Sequence, residues 1–209
     1  MTSEGEAVSA LATTAGKAID ALRGLGGYAA EVLGDVPKDL VKLAVGNRIK
    51  ARCIASMQDL GLLAIPHLES IDGERISEPS PSVMIPLIAA AATEERAELR
   101  DLWARLLANA TIDGGWKVRR EFFETVAKME PADAVLFRAI YNAPQQMKGA
   151  GTRSPIMRDY LTVQHSPPFA QERLDLLLDA LTELRCIRND NMGNISRYGV
   201  ALMEALTVE

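Results

Sequence analysis

The sequence predicts a mainly α-helical protein. A helical N-terminal region is followed by a C-terminal winged-helix-like unit with one short β-hairpin. Three observations carry this. Apolar residues recur at spacings of three and four along most of the chain. Glycines, prolines and capping residues punctuate those runs. A short strand–turn–strand pattern sits near the C-terminus.

Val8, Leu11, Ala15, Ile19 and Leu22 mark the first amphipathic helix, and Gly24, Gly26 and Gly27 break it. A second stretch, Tyr28 to Leu33, ends at Gly34. Pro37 suits the first turn of the next helix, whose stripe is Val41, Val45, Ile49, Cys53 and Met57. Residues 66–82, with three prolines and a glycine, read as a loop. Ser82 is the expected cap of the helix that follows, with Pro86 in its first turn. Thr93 is the expected cap of the next, whose buried stripe is Leu99, Leu102, Trp103, Leu106 and Ala110 and which stops near Asp113-Gly114-Gly115. Glu121 to Met129 forms another helix, burying Phe122, Phe123 and Val126. Pro131 and Asp133 open the C-terminal unit, 142–153 reads as a loop, and Ser154-Pro155 starts a short helix. A long helix then carries Leu174, Leu177, Leu178, Leu181 and Leu184. Cys186-Ile187-Arg188 and Ile195-Ser196-Arg197 make the expected hairpin, and Gly199 precedes the last helix. The expected divisions are 1–65, 66–130 and 131–209.

The chain of 209 residues is 48% hydrophobic and 24% charged, which suits a folded globular protein. Lys and Arg total 23 against 28 Asp and Glu, a formal charge of −5, which argues against avid nonspecific nucleic-acid binding. Cys53 and Cys186 lie far apart, so neither a disulfide scaffold nor a zinc site is indicated. The start MTSEGEAVSA has glutamates where a signal peptide needs positive charge. The longest apolar run, Val83 to Ala92, is far short of the ~20 residues of a spanning helix. A cytoplasmic location is the expectation, with contact at a membrane surface left open.

The span Leu102 to Asn142 resembles the abortive-infection alpha family of bacterial phage-defence proteins. Leu102-Trp103, Leu106-Leu107-Ala108-Asn109, Phe122, Val126, Met129, Pro131, Asp133 and Leu136 carry the likeness. Glu130 stands where the family often has Ser, and Met129 where Leu is common. The resemblance implies a helical fold and a role in phage defence. It implies no catalytic residue, since none is established for the family.

Enzyme motifs are sparse: there is no HExxH, no Walker A loop and no GxSxG. Gly24-Leu25-Gly26-Gly27-Tyr28-Ala29 matches a dinucleotide fingerprint in letters only, because a helix and not a strand precedes it. His67, in a proline-bounded loop, reads as a surface residue. Arg158 and His165 resemble the Arg…His motif of HEPN-type ribonucleases, in which His would take the 2′-OH proton and Arg would stabilise the phosphorane. The Ser-Pro-Pro after His165 favours a loop instead. Glu94, Glu95, Glu98 and Asp101 alternate with Arg96 and Arg100, which reads as a salt-bridged face and not a metal site. Trp103 continues a buried stripe, whereas Trp116 sits in a Gly-Gly-Trp-Lys loop beside Arg119 and Arg120, where it is either an exposed recognition spot or a pin of the loop to the core.

The expectation is therefore a non-enzymatic anti-phage protein acting through protein or surface contacts, with no cofactor and no metal. Its candidate contact residues are Lys38, Lys42, Arg48, Lys50 and Arg52 on one helix, and Trp116, Lys117, Arg119 and Arg120 in one loop. A phage or host protein is the expected partner, and the broad apolar stripes allow self-association. One alternative is a winged-helix DNA-binding regulator. Its recognition helix would carry Glu172, Asp175, Asp179 and Glu183 against Arg173 and Arg185, so only the wing, with Arg188 and Arg197, suits phosphate. The other alternative is a ribonuclease using Arg158 and His165.

Overall fold

A computed structural model describes residues 59–208, apart from residue 70, residues 73–74 and residues 191–192. The expected helices before residue 59, including the basic segment with Lys38, Lys42, Arg48, Lys50 and Arg52, lie outside the described residues. The described chain is mainly helical. It divides into a first unit, which reaches Ala127 and takes in the residues from Ala205 onward, and a second, Lys128–Glu204.

The first unit contains α1 (residues 59–68), α2 (Pro81–Ala91), α3 (Ala97–Thr111) and α4, whose range is Arg120–Lys128. Ser80, not Ser82, caps α2: its Oγ accepts from the Ser82 amide at 3.3 Å, and Pro81 takes the first helical position. Pro86 consequently lies inside α2, where it removes the bond to the Ser82 carbonyl. Burial of Met84, Leu87 and Ile88 holds the helix despite that loss. Thr93 does not cap α3 either. It lies in the turn after α2, and Arg96 is the residue flanking α3. The Glu94 carboxylate replaces a cap. It accepts from the Arg96 amide at 2.9 Å and grips the same residue's guanidinium at 2.9 and 3.0 Å. Those bonds hold the Glu94 carboxyl below the usual carboxylate range.

α2 packs on α3. The α3 stripe of Leu99, Leu102, Trp103, Leu106 and Ala110 is buried as its spacing predicts, and so are Phe122, Phe123 and Val126 of α4. The Trp103 and Phe123 rings lie 6.2 Å apart at a tilt of 46°, a favourable aromatic geometry. Asn109 is the polar member of this core. Its side-chain amide donates to the carbonyls of Ala205 at 2.9 Å and Thr207 at 3.2 Å, tying the chain end to α3.

The second unit contains α5 (Pro131–Asn142), α6 (Gln145–Ala150), α7 (Pro155–Asp159), a π-helical turn (Tyr160–Gln164), α8 (Gln171–Glu183) and α9, which begins here and has the range Arg197–Leu206. Asp133 accepts from the Glu130 amide at 2.9 Å, so the α5 start is capped although Glu130 replaces serine. Ser154 caps α7 by accepting from the Met157 amide at 3.2 Å. α8 packs on α5 through Leu174, Leu178 and Leu181. The expected loop 142–153 contains α6, a correction. Pro144 sets its entry, and Gly151, at φ 89°, ends it. Where a hairpin was expected, one antiparallel bridge joins Ile187 to Ile195. Arg197 opens α9, and Gly199 lies inside that helix, where a side chain would run into the Cys186 carbonyl.

Candidate functional site: the Trp116 turn

The turn between α3 and α4 is built outward from a fixed base. Thr111 closes α3 by donating its hydroxyl to the Ala108 carbonyl at 2.8 Å. Ile112 then extends and bridges antiparallel to Ile76, while the Ser77 amide donates to Thr111 at 2.8 Å. Asp113, Gly114 and Gly115 follow with φ of 50°, 73° and 72°. Three consecutive left-handed residues reverse the chain sharply, and glycine supplies two of them without steric cost.

Gly115 is also a close approach, because a Cβ there would sit 2.8 Å from the Ala110 carbonyl oxygen. The Arg75 guanidinium grips Asp113 at 2.9 Å from the other side of the turn. That ion pair lowers the Asp113 carboxyl below its ordinary range and raises the Arg75 guanidinium. Val118 is buried and anchors the far side.

What this base presents is Trp116, 72% exposed. The Lys117 ammonium lies 5.9 Å from the indole centroid, within cation–π reach. Arg119 pairs with Glu121 at 3.1 Å, and Arg120, the first residue of α4, is exposed. The structure thus brings Trp116, Lys117, Arg119 and Arg120 together on one turn. A large flat apolar group lies beside one cation, Lys117, with Arg119 and Arg120 close in sequence. Such a surface can bind by shape and charge, and no proton-transfer group takes part in it.

The other chemistry-bearing residues are placed differently. His67 is not a free surface residue in a loop: α1 runs through Leu68, so the expected loop 66–82 starts later, and His67 in its last turn bonds Asp101 at 3.2 Å with its side chain 19% exposed. Asp101 also accepts from Arg105 at 2.8 Å. Arg100 reaches Asp59 at 3.6 Å, so the alternating charges on α3 do form an ion-paired face. Arg158 is engaged by Asp175 of α8. The His165 ring sits 5.8 Å from Tyr160 and 5.3 Å from Phe169, and its Nδ1 lies 2.8 Å from the Pro167 carbonyl. Cys186 is buried, and desolvation pushes its thiol up to about 12, well away from the reactive thiolate range. In the wing region, Arg188 pairs with Asp190 at 3.0 Å, and Arg197 is exposed.

Sequence reading missed the frame of the site. Gly115 and Asp113 were seen only as a helix stop, while Arg75 lies 38 residues from its partner and leaves no local signal.

A mainly helical protein of two units, with an exposed indole and neighbouring cations on a tight left-handed turn, is the class these features define. The family model for abortive infection alpha matches residues 43–207, most of the chain, and the protein belongs to that family. No curated protein and no solved structure matches it. Among the described residues no helix is long and apolar enough to cross a membrane.

Proposed function

We propose that this protein serves abortive-infection defence in the bacterial cytoplasm and acts by contact, not by catalysis. Family membership supports the biological setting. The observation that carries the mechanism is the Trp116 turn. Its exposed indole, with cations beside it in sequence, is of the residue types that carry binding energy at contact surfaces, and the left-handed glycines restrict the backbone that presents it.

The second unit is helical, with one antiparallel bridge, Ile187–Ile195, where the expected winged helix would have its wing. We read it as a packing module. On the exposed face of α8, Asp175 and Asp179 already take up Arg158 and Arg153, and Glu172 and Glu183 add further negative charge, so the face offers phosphate no excess of cations. Against the ribonuclease alternative stands the ion pair that engages Arg158 with Asp175.

The test is a plaque assay on cells expressing the full chain. Trp116→Ala, and separately Arg119→Glu with Arg120→Glu, should abolish protection while leaving the melting temperature unchanged, because all three side chains are exposed. Full protection by both variants would overturn the reading.

A further inference from the structure

We infer that the Trp116 turn docks on an anionic phospholipid bilayer, the indole lying at the headgroup level and the cations on the lipid phosphates. This rests on the contact reading above and names the partner of the same turn.

Charge is the first argument. Although the chain carries −5 overall, the acids of the turn are neutralised in place. Asp113 is gripped by Arg75 and Glu121 by Arg119. Lys117 and Arg120 form no ion pair among the described residues, so the tip is net positive. A positive tip on an acidic protein selects an anionic partner and orients the molecule toward it.

The second argument separates a bilayer from a protein. A stable protein interface buries about 800 Å² per partner, and its hot spots sit among water-excluding neighbours. On the turn Trp116 is the one exposed large apolar side chain among the described residues, so it has no apolar neighbours there with which to build a protein-interface core. An isolated indole flanked by cations is poor as an interface core. It matches the bilayer surface, where one face of the ring meets acyl chains, the N–H stays wet and each nearby cation gains from anionic headgroups.

The third argument is rigidity. The left-handed run Asp113–Gly115 and the close approach at Gly115 hold the indole outward before any contact forms.

The experiment uses the full chain and vesicles of phosphatidylcholine, alone or mixed with phosphatidylglycerol. Binding is read by flotation and by tryptophan emission. The protein has two tryptophans, and Trp103 is buried, so an emission change reports Trp116. Mixed vesicles should bind the protein and shift its emission to the blue, and pure phosphatidylcholine should bind far less. Trp116→Ala should abolish flotation. Lys117→Ala and Arg120→Ala should each weaken binding about fivefold at low salt. Soluble glycerol phosphate should not compete, because it offers no surface for the indole.

No flotation with mixed vesicles, or flotation undiminished in Trp116→Ala, would overturn the inference. So would a blue shift produced by polyglutamate and absent with vesicles, which would point to an acidic protein. Those failures leave the contact reading standing if Trp116→Ala still abolishes protection, whereas protection that survives in that variant defeats the contact reading itself.

Discussion

Gly114 and Gly115 share almost the same backbone conformation but differ in surroundings, which separates two physical costs. Both have φ near 73°, where a side chain is strained by about 1–2 kcal/mol. Nothing lies within 4 Å of a Cβ at Gly114, while at Gly115 it would meet the Ala110 carbonyl at 2.8 Å. Gly114→Ala should therefore lower stability by about 1 kcal/mol, and Gly115→Ala by at least about twice that, since the backbone of α3 must also give way. Urea unfolding of the two variants checks the order; equal losses would mean that the turn relaxes freely. At this scale the sequence places Trp103 in the core by its apolar stripe, whereas for Trp116 it leaves exposure and pinning of the loop equally open, and the fold leaves it 72% exposed. It fails at His67, whose partner Asp101 is 34 residues away and brought near only by packing.

Helix interiors were legible, and helix ends much less so. The stripe of α3 follows from its spacing alone, whereas its start is set by Glu94 and Arg96 acting together, a pattern no single capping residue announces. That start makes stability depend on pH. The Glu94 carboxyl is depressed in the folded state, chiefly by its hydrogen bond from the Arg96 guanidinium, so its contribution is complete above the ordinary carboxylate range and is lost as pH falls through the depressed value. The stability difference between the protein and Arg96→Ala should be constant from pH 7 to 5 and shrink below about pH 4, as followed by thermal unfolding. A difference that grows on acidification would refute the sign. At the other end of α3, Asn109→Ala removes the donors to two chain-end carbonyls and should cost about 1–3 kcal/mol. Asn109→Asp should cost more, because it buries a carboxylate facing carbonyl oxygens. The resemblance had already marked Asn109, but the carbonyls of Ala205 and Thr207 lie more than ninety residues away, beyond any periodicity.

For the molecule as a whole, the family and the helical class were legible because both rest on long apolar patterns, and the matched span of residues 43–207 uses most of them. The hairpin was over-read. Ile187 and Ile195 do meet, but Arg197 is taken into α9, whose Val200, Met203 and Leu206 already have helical spacing. The same dependence of meaning on packing bears on the proposed contact mechanism. Arg158 and His165 are close in sequence, yet Arg158 is turned to Asp175, while the imidazole is held by the Pro167 carbonyl and the Phe169 ring. The Pro167 carbonyl on Nδ1 orients the ring and leaves Nε2 to exchange protons, so it is the ion pair at Arg158 that counts against the nuclease reading, because a phosphorane-stabilising arginine must offer its guanidinium to phosphate. His165→Ala should therefore keep full protection in the plaque assay that Trp116→Ala fails. Arg158→Ala should also protect, with at most a small loss of stability from one partly exposed ion pair. If His165→Ala instead abolished protection at unchanged melting temperature, and cellular RNA stayed intact during infection only in that variant, the chain would be a nuclease, and the Trp116 turn would have to be understood as a substrate guide.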